Sequence, residues 1–144
     1  MVKKILSFLF VAVVLSMLVV PVAAESNIGD NLQYHNTVSA NSSASVSNSG
    51  LLTVSNRYQG LPGTTTRGEI KTYIEKKILG LFWIRVNIDQ PNNEWHDVVY
   101  DYLYAGNHTF QLTSTGTYRI TVVYTIYGSG GSPDTITCVL NKKY

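Results

Sequence analysis

The sequence predicts an all-β protein, namely an antiparallel β-sandwich of about seven or eight strands after an N-terminal signal helix. Three observations predict this fold. Apolar and polar residues alternate with a period of two through most of the chain after residue 50. Glycine, proline and asparagine turn signals recur about every ten residues. After the leader, no segment shows an apolar period of 3.6 residues.

The N-terminus has the three parts of a secretory signal peptide. Lys3 and Lys4 precede an apolar run over residues 5–20, and Pro21 comes before the small residues of Val22-Ala23-Ala24. We expect cleavage after Ala24 and secretion to the extracellular space. The alternative is a retained membrane anchor, but the run is short for a bilayer span.

The expected domains are a signal peptide over 1–24, a flexible Ser/Asn-rich lead-in with a weak first strand over 25–49, and a β-sandwich over 50–144. Cys138 is the only cysteine, so no disulfide can form within the chain. A secreted domain of this size without disulfides must be stabilised by packing, which favours a bacterial origin.

The predicted strands follow one another with short turns between them. They cover residues 51–58, 68–77, 81–88, 95–104, 108–112, 118–127 and 134–141, and Ala105-Gly106-Asn107 is predicted as a turn. Alternation assigns one face to each of five sets: Ile70, Thr72 and Ile74; Phe82, Ile84, Val86 and Ile88; Val98, Tyr100, Tyr102 and Tyr104; Tyr118, Ile120, Val122, Tyr124 and Ile126; and Ile136, Cys138 and Leu140.

The segment 114–120 resembles the turn into the penultimate strand of immunoglobulin-like sandwiches. In that turn, the hydroxyl of a tyrosine, here Tyr118, often bonds back to the backbone of the corner. The inter-sheet disulfide of antibody domains is absent. An immunoglobulin-like or fibronectin-type topology is therefore predicted.

The chain also resembles a group of small secreted proteins of Gram-positive bacteria that carry a domain of unknown function. The resemblance depends on the signal peptide, on residues 68–77 and 116–122, and on the hairpin from 124–127 to 134–137. It covers most of the mature chain and implies export and a single β-sandwich. It implies no catalytic residue.

Charge argues against two classes of partner. Loss of Lys3 and Lys4 leaves a mature chain that is formally neutral. A neutral chain with scattered charges lacks the basic patch of a nucleic-acid-binding protein. We also expect no stable membrane insertion after signal cleavage, because nothing in the net charge draws the chain to an anionic surface.

Neither a catalytic site nor a metal or cofactor site is predicted. The histidines His35, His96 and His108 lie on separate segments, and we expect them to face solvent near strand ends. Glu94, Asp97 and Asp101 surround Trp95 and are the residues of a less favoured hydrolase hypothesis. Cys138 is expected to be a buried, unreactive thiol.

The predicted function is binding of an extracellular protein or carbohydrate without catalysis. Outward-facing aromatic and arginine side chains dominate many binding surfaces. The predicted binding residues are Tyr73, Trp83, Arg85, Arg119 and Tyr127, with Val123 and Val139 beside them.

The alternative is a secreted effector, either a bacteriocin-like toxin or a protease inhibitor. Such an effector would act through the Ser/Asn-rich N-terminus and the loops around Pro62 or Gly130.

Overall fold

A computed structural model describes residues 34–144 and shows two antiparallel β-sheets, which confirms the prediction of an all-β sandwich. The signal peptide, its cleavage site and the start of the lead-in lie outside the described residues. No helix within 34–144 is long and apolar enough to span a bilayer. The elements are β1 (Thr37–Val46), β2 (Leu51–Gly60), β3 (Thr65–Ile78), β4 (Phe82–Arg85), a short 3-10 helix (Pro91–Asn93), β5 (Trp95–Val99), β6 (Leu103–Gln111), β7 (Thr117–Gly128) and β8 (Asp134–Lys143).

The two sheets differ in size, and we call them sheet A and sheet B. Sheet A has three strands in the order β1-β2-β6. Sheet B has the order β4-β3-β7-β8, and β5 pairs with the same edge of β3 as β4 does. Strand β3 has 14 residues, which gives its edge room for both short partners. Residues 75–78 pair with β4, and residues 68–72 pair with β5.

Alternation along β3 and β7 places their apolar side chains between the sheets, as predicted. Tyr124 is fully buried at the centre of β7, and its hydroxyl donates to the carbonyl of Asn41 over 2.7 Å, so it joins β7 to β1. Cys138 packs against this core from β8, and burial raises the pKa of its thiol. The buried apolar residues are Leu52, Val54, Tyr58, Ile70, Ile74, Ile88, Leu112, Tyr118, Ile120, Val122, Tyr124 and Ile126.

One polar pair lies inside this apolar core. Asn56 of β2 donates from Nδ2 to the Thr72 hydroxyl of β3 over 2.9 Å, and both side chains are buried. The Asn56 Oδ1 atom is buried and has no hydrogen-bond partner. The pair links the two sheets, at the cost of one unsatisfied acceptor.

Asn36, just before β1, connects two loops at one end of the sandwich. Its backbone N–H donates to the Asp134 carboxylate over 2.7 Å, and its side chain donates to the Ser132 carbonyl over 3.0 Å. Its Oδ1 accepts the Gly130 N–H over 3.1 Å, and its carbonyl accepts the Leu61 N–H over 3.2 Å. These bonds hold the loops around Pro62 and Gly130 together.

The predicted strand over 95–104 is wrong, because the chain bends after Val99 and β6 begins at Leu103. Trp95 and Val99 face inward, whereas Val98, Tyr100 and Tyr102 are exposed. The bend is stabilised locally: the Asp101 side chain accepts the Leu103 N–H over 3.2 Å, which is an Asx-type turn. Its backbone carbonyl accepts the Tyr58 hydroxyl over 2.7 Å.

The predicted turn at residues 105–107 is also wrong, because these residues lie inside β6. They pair in register with Arg57, Asn56 and Ser55 of β2. Gly106 fits this strand because a side chain there would collide with the Tyr104 hydroxyl. The glycine therefore marks a close approach rather than a turn.

Candidate binding surface

Four of the five predicted binding residues meet on the outer face of sheet B, and we call them the Arg–aromatic face: Tyr73, Trp83, Arg85 and Arg119. Alternation turns these side chains away from the core, and strand pairing sets their neighbours. Glu75 of β3 pairs in register with Arg119 on one side and with Arg85 on the other. The face therefore draws on three adjacent strands, β4, β3 and β7.

The side chains of the Arg–aromatic face stack on one another. The Arg85 guanidinium carbon lies 3.5 Å from the centroid of the Tyr73 ring. That of Arg119 lies 4.4 Å from the Trp83 ring. Arg119 also donates from Nε to Glu75 over 2.8 Å, and this bond raises the pKa of its guanidinium. The cations are thus held over half-exposed aromatic rings.

The fifth predicted residue, Tyr127, lies on the same sheet face but at the other end of it. It pairs with Arg67, whose guanidinium carbon lies 4.0 Å from its ring centroid. Tyr73 pairs instead with Thr121, six residues earlier on β7. At about 3.3 Å per residue, this places the two tyrosines about 20 Å apart. Tyr127 is therefore not part of the Arg–aromatic face.

Of the two predicted valines, Val123 lies between these ends, and Val139 lies level with Tyr73 on β8. Val123 lies beside Lys71 in register and is half-buried. Val139 lies beside Thr121 on β8 and is half-exposed. They extend the face with apolar surface but contribute no polar group.

The three acidic residues of the hydrolase hypothesis point in different directions. Glu94 lies near Lys71 and Arg85, with nitrogen–oxygen distances of 3.8 and 4.0 Å. Asp101 lies in the bend before β6, where it accepts a backbone N–H. Asp97 points to the edge of the sandwich. These carboxylates form no pair across a shared cleft, as glycoside hydrolysis would need.

Asp97 belongs instead to a cluster that joins β5 to β6. Its Oδ2 accepts the Tyr104 hydroxyl over 2.9 Å and lies 2.7 Å from Nε2 of His108. The His108 ring stacks on Trp95 with centroids 4.8 Å apart and planes 6° apart. The expectation that His108 faces solvent is therefore wrong. It is half-buried at mid-strand because β6 is longer than predicted, whereas His35 and His96 are exposed.

The comparisons with known proteins identify no family for this chain. No protein-family model matches the chain, and no curated protein matches it. Within residues 34–144, no group of three or more histidine, cysteine, aspartate or glutamate side chains is arranged to hold a metal ion.

Sequence reasoning missed the exposed end of the β3–β4 hairpin. We call Leu79, Leu81, Phe82 and Ile84 the hairpin tip; they are 86%, 72%, 62% and 54% exposed. Phe82 and Ile84 were grouped with Val86 and Ile88, yet only Ile88 is fully covered. Strand β3 has 14 residues, whereas the sheet A strands have 9 or 10, and the hairpin tip is not covered by the opposite sheet.

The outer face of sheet A forms a second surface that the sequence did not single out. It is an open cleft of about 1000 Å³ whose floor is mostly small and polar. Arg57 lies at its centre, between Asn41 and Ala105 in register. In the part of the chain that the structure describes, Arg57 has no carboxylate partner. The alternating serines of β1 were the sequence signal that could have predicted this polar surface.

Proposed function

We propose that this protein is exported, is cleaved after Ala24 and acts outside the cell as a non-catalytic binding protein. In this proposal it recognises an extracellular protein or carbohydrate through the Arg–aromatic face. It needs no cofactor, and it belongs with the small secreted proteins of Gram-positive bacteria that it resembles. The observation that carries the proposal is the convergence of Tyr73, Trp83, Arg85 and Arg119 from three strands.

We further propose that the sandwich is of the immunoglobulin-like type. The order β4-β3-β7-β8 matches C′-C-F-G of that topology, and β1-β2-β6 matches A-B-E. The Tyr118 hydroxyl donates to the Ser114 carbonyl over 2.5 Å. A bond of this kind is the tyrosine corner of immunoglobulin-like domains, and it lies here at the start of the strand equivalent to F.

The Arg–aromatic face suits binding because its side chains are already ordered. Each arginine is stacked on a ring, and Arg119 is also hydrogen-bonded. Ligand binding would therefore cost these protein side chains less conformational entropy. Arg85 lies 4.0 Å from Glu94, beyond hydrogen-bond distance. It therefore offers free N–H donors above an apolar ring, which suits a carboxylate or sugar hydroxyls.

The two stacked tyrosines give a matched test of this face. Tyr73→Ala and Tyr127→Ala each remove an aromatic ring on the outer face of sheet B, and an arginine is stacked on each of these rings. Binding of labelled protein to a glycan array and to intact bacterial cells is measured for both. We expect Tyr73→Ala to weaken binding at least tenfold, a typical loss at a buried interface aromatic, and Tyr127→Ala to leave it unchanged.

Circular dichroism verifies that both variants keep the sandwich. Selective binding to arrayed glycans assigns a carbohydrate ligand, and protease-sensitive binding to cells assigns a protein ligand. Equal binding by wild type and Tyr73→Ala would refute the assignment of the Arg–aromatic face.

A second candidate function, a secreted bacteriocin-like effector, is favoured by the hairpin tip. An exposed apolar hairpin is expected in a protein that acts on membranes. Growth inhibition of neighbouring bacteria by purified protein supports this candidate, and full growth at saturating protein removes it. The protease-inhibitor alternative would use the loops around Pro62 and Gly130, which hydrogen bonds to Asn36 hold in place.

A further inference from the structure

We propose that the hairpin tip docks reversibly on an anionic lipid surface. This inference concerns the hairpin tip, which borders the Arg–aromatic face at Trp83 and Arg85, and it does not depend on which ligand that face binds. Three observations carry it: the exposure of the hairpin tip, the backbone conformation of Leu79, and the positive charges just behind the tip.

The hairpin tip gathers apolar side chains that the fold leaves in water. Leu79 and Leu81 are the most exposed large apolar residues among those close to this turn. Phe82 and Ile84 follow on β4, where no strand of sheet A covers them. Contiguous apolar surface of this kind on a soluble domain typically marks an interaction site.

The turn holds Leu79 in a conformation that leucine disfavours. Leu79 and Gly80 have φ values of 52° and 68°, and the Leu81 N–H donates to the Ile78 carbonyl over 3.0 Å. Positive φ at both central residues defines a type I′ turn, where asparagine followed by glycine is strongly preferred. A leucine here is strained as well as exposed. The coincidence of these two unfavourable features at one residue points to a function for its side chain.

The charges behind the tip complement an anionic surface. Lys76 and Lys77 precede it on β3, and Arg85 follows it on β4. Lys77 lies 5.6 Å from the Trp83 ring, and Lys76 contacts the Ser114 hydroxyl. Across residues 34–144, neither lysine forms an ion pair with a carboxylate. The two lysines therefore have no carboxylate that competes with lipid phosphates, which they can bind while apolar side chains enter the acyl region.

This arrangement differs from membrane insertion and is compatible with a neutral chain. Net charge averages over the whole surface, whereas the hairpin places its cations beside its apolar residues. Trp83, next to the tip, has the amphipathic ring that favours the membrane–water interface. Docking is thus peripheral, with the sandwich remaining in water.

Vesicle binding by the full chain tests the proposal with a local signal. In a Trp95→Phe background, Trp83 is the remaining tryptophan and reports on the hairpin. We expect brominated lipids to quench it in vesicles of phosphatidylglycerol and phosphatidylcholine. Leu79→Asn removes one apolar anchor and should weaken docking about tenfold. Lys77→Gln should weaken it about fivefold.

The substitution Leu79→Asn separates docking from folding, because it should weaken vesicle binding without lowering the stability of the fold. Asparagine suits the type I′ turn, so this variant should unfold at the same denaturant concentration as wild type or a higher one. Leu103→Asn, at another exposed leucine, is the matched control and should dock normally.

Each remaining outcome counts against the proposal. Equal Trp83 quenching in wild type and Leu79→Asn overturns it, and so does equal quenching with phosphatidylcholine alone. A dimer that forms without lipid and depends on Leu79 would assign the tip to a second copy of the chain.

Discussion

The buried pair of Asn56 and Thr72 gives the sharpest test of how the core is held. Thr72→Val keeps the shape of the side chain but removes the hydroxyl that accepts from Asn56. Because Asn56 Oδ1 already lacks a partner, its whole amide would then be buried without a protein hydrogen bond. We expect Thr72→Val to lower the free energy of unfolding by about 2 kcal/mol, within the range for an unsatisfied buried group.

The double variant should reverse this loss. Asn56→Leu in the Thr72→Val background removes the amide, so no polar atom of the pair remains unsatisfied. Both positions are almost fully buried, so the new leucine adds apolar burial. We therefore expect the double variant to be at least as stable as wild type, since apolar replacement of both partners is often neutral or stabilising.

Urea denaturation of the wild type, Thr72→Val, Asn56→Leu and the double variant completes the double-mutant cycle. Thr121→Val, at a buried threonine outside this pair, is the control and should shift stability by less than about 0.5 kcal/mol. The reasoning fails if Thr72→Val is as stable as wild type, or if the double variant is less stable than Thr72→Val.

Two further predictions concern the Asp134 carboxylate, which holds the chain just before β1, and alkaline pH. Asp134→Ala removes the acceptor of the His35 and Asn36 N–H groups and should cost about 2–3 kcal/mol in urea unfolding, whereas Thr135→Ala beside it should have little effect; equal stability of the two variants would contradict this. Burial raises the pKa of Tyr58 and Tyr124 to about 12. The folded chain therefore holds these protons more tightly than the unfolded chain, so stability should stay level below about pH 10 and fall as the pH rises towards 12. Tyr124→Phe should reduce that slope in unfolding curves, and an unchanged slope would show that Tyr124 does not contribute.

Alternation was a sufficient signal wherever the two faces of a strand differ strongly. On β7, the set from Tyr118 to Ile126 is buried as the pattern predicts, and of the opposite set only Thr121 is buried as well. Residues 95–104 carry apolar side chains in both phases, and their bend contains neither glycine nor proline. The bend depends on Asp101 and on Tyr58, which is distant in sequence, so a local pattern could not show it.

Pairing between distant strands also determines which side chains lie close together on the surfaces. The sequence placed Tyr73 and Tyr127 on one face, but the number of residues between their partners on β7 sets their separation. The apolar character of Leu79 to Ile84 was visible in the sequence. Its exposure depends on where the opposite sheet ends, which no local pattern encodes. The Asp97–His108 contact likewise requires the edges of two sheets to meet.

The divided edge of β3 has a consequence for the protein at high concentration. Strands β4 and β5 have four and five residues and border different parts of β3. An incoming chain would find only short, interrupted rows of free backbone groups along this side, too few to extend the sheet into a filament. This protection does not depend on the exposed residues of the loop between β4 and β5, so those positions can vary without making the protein prone to aggregate there.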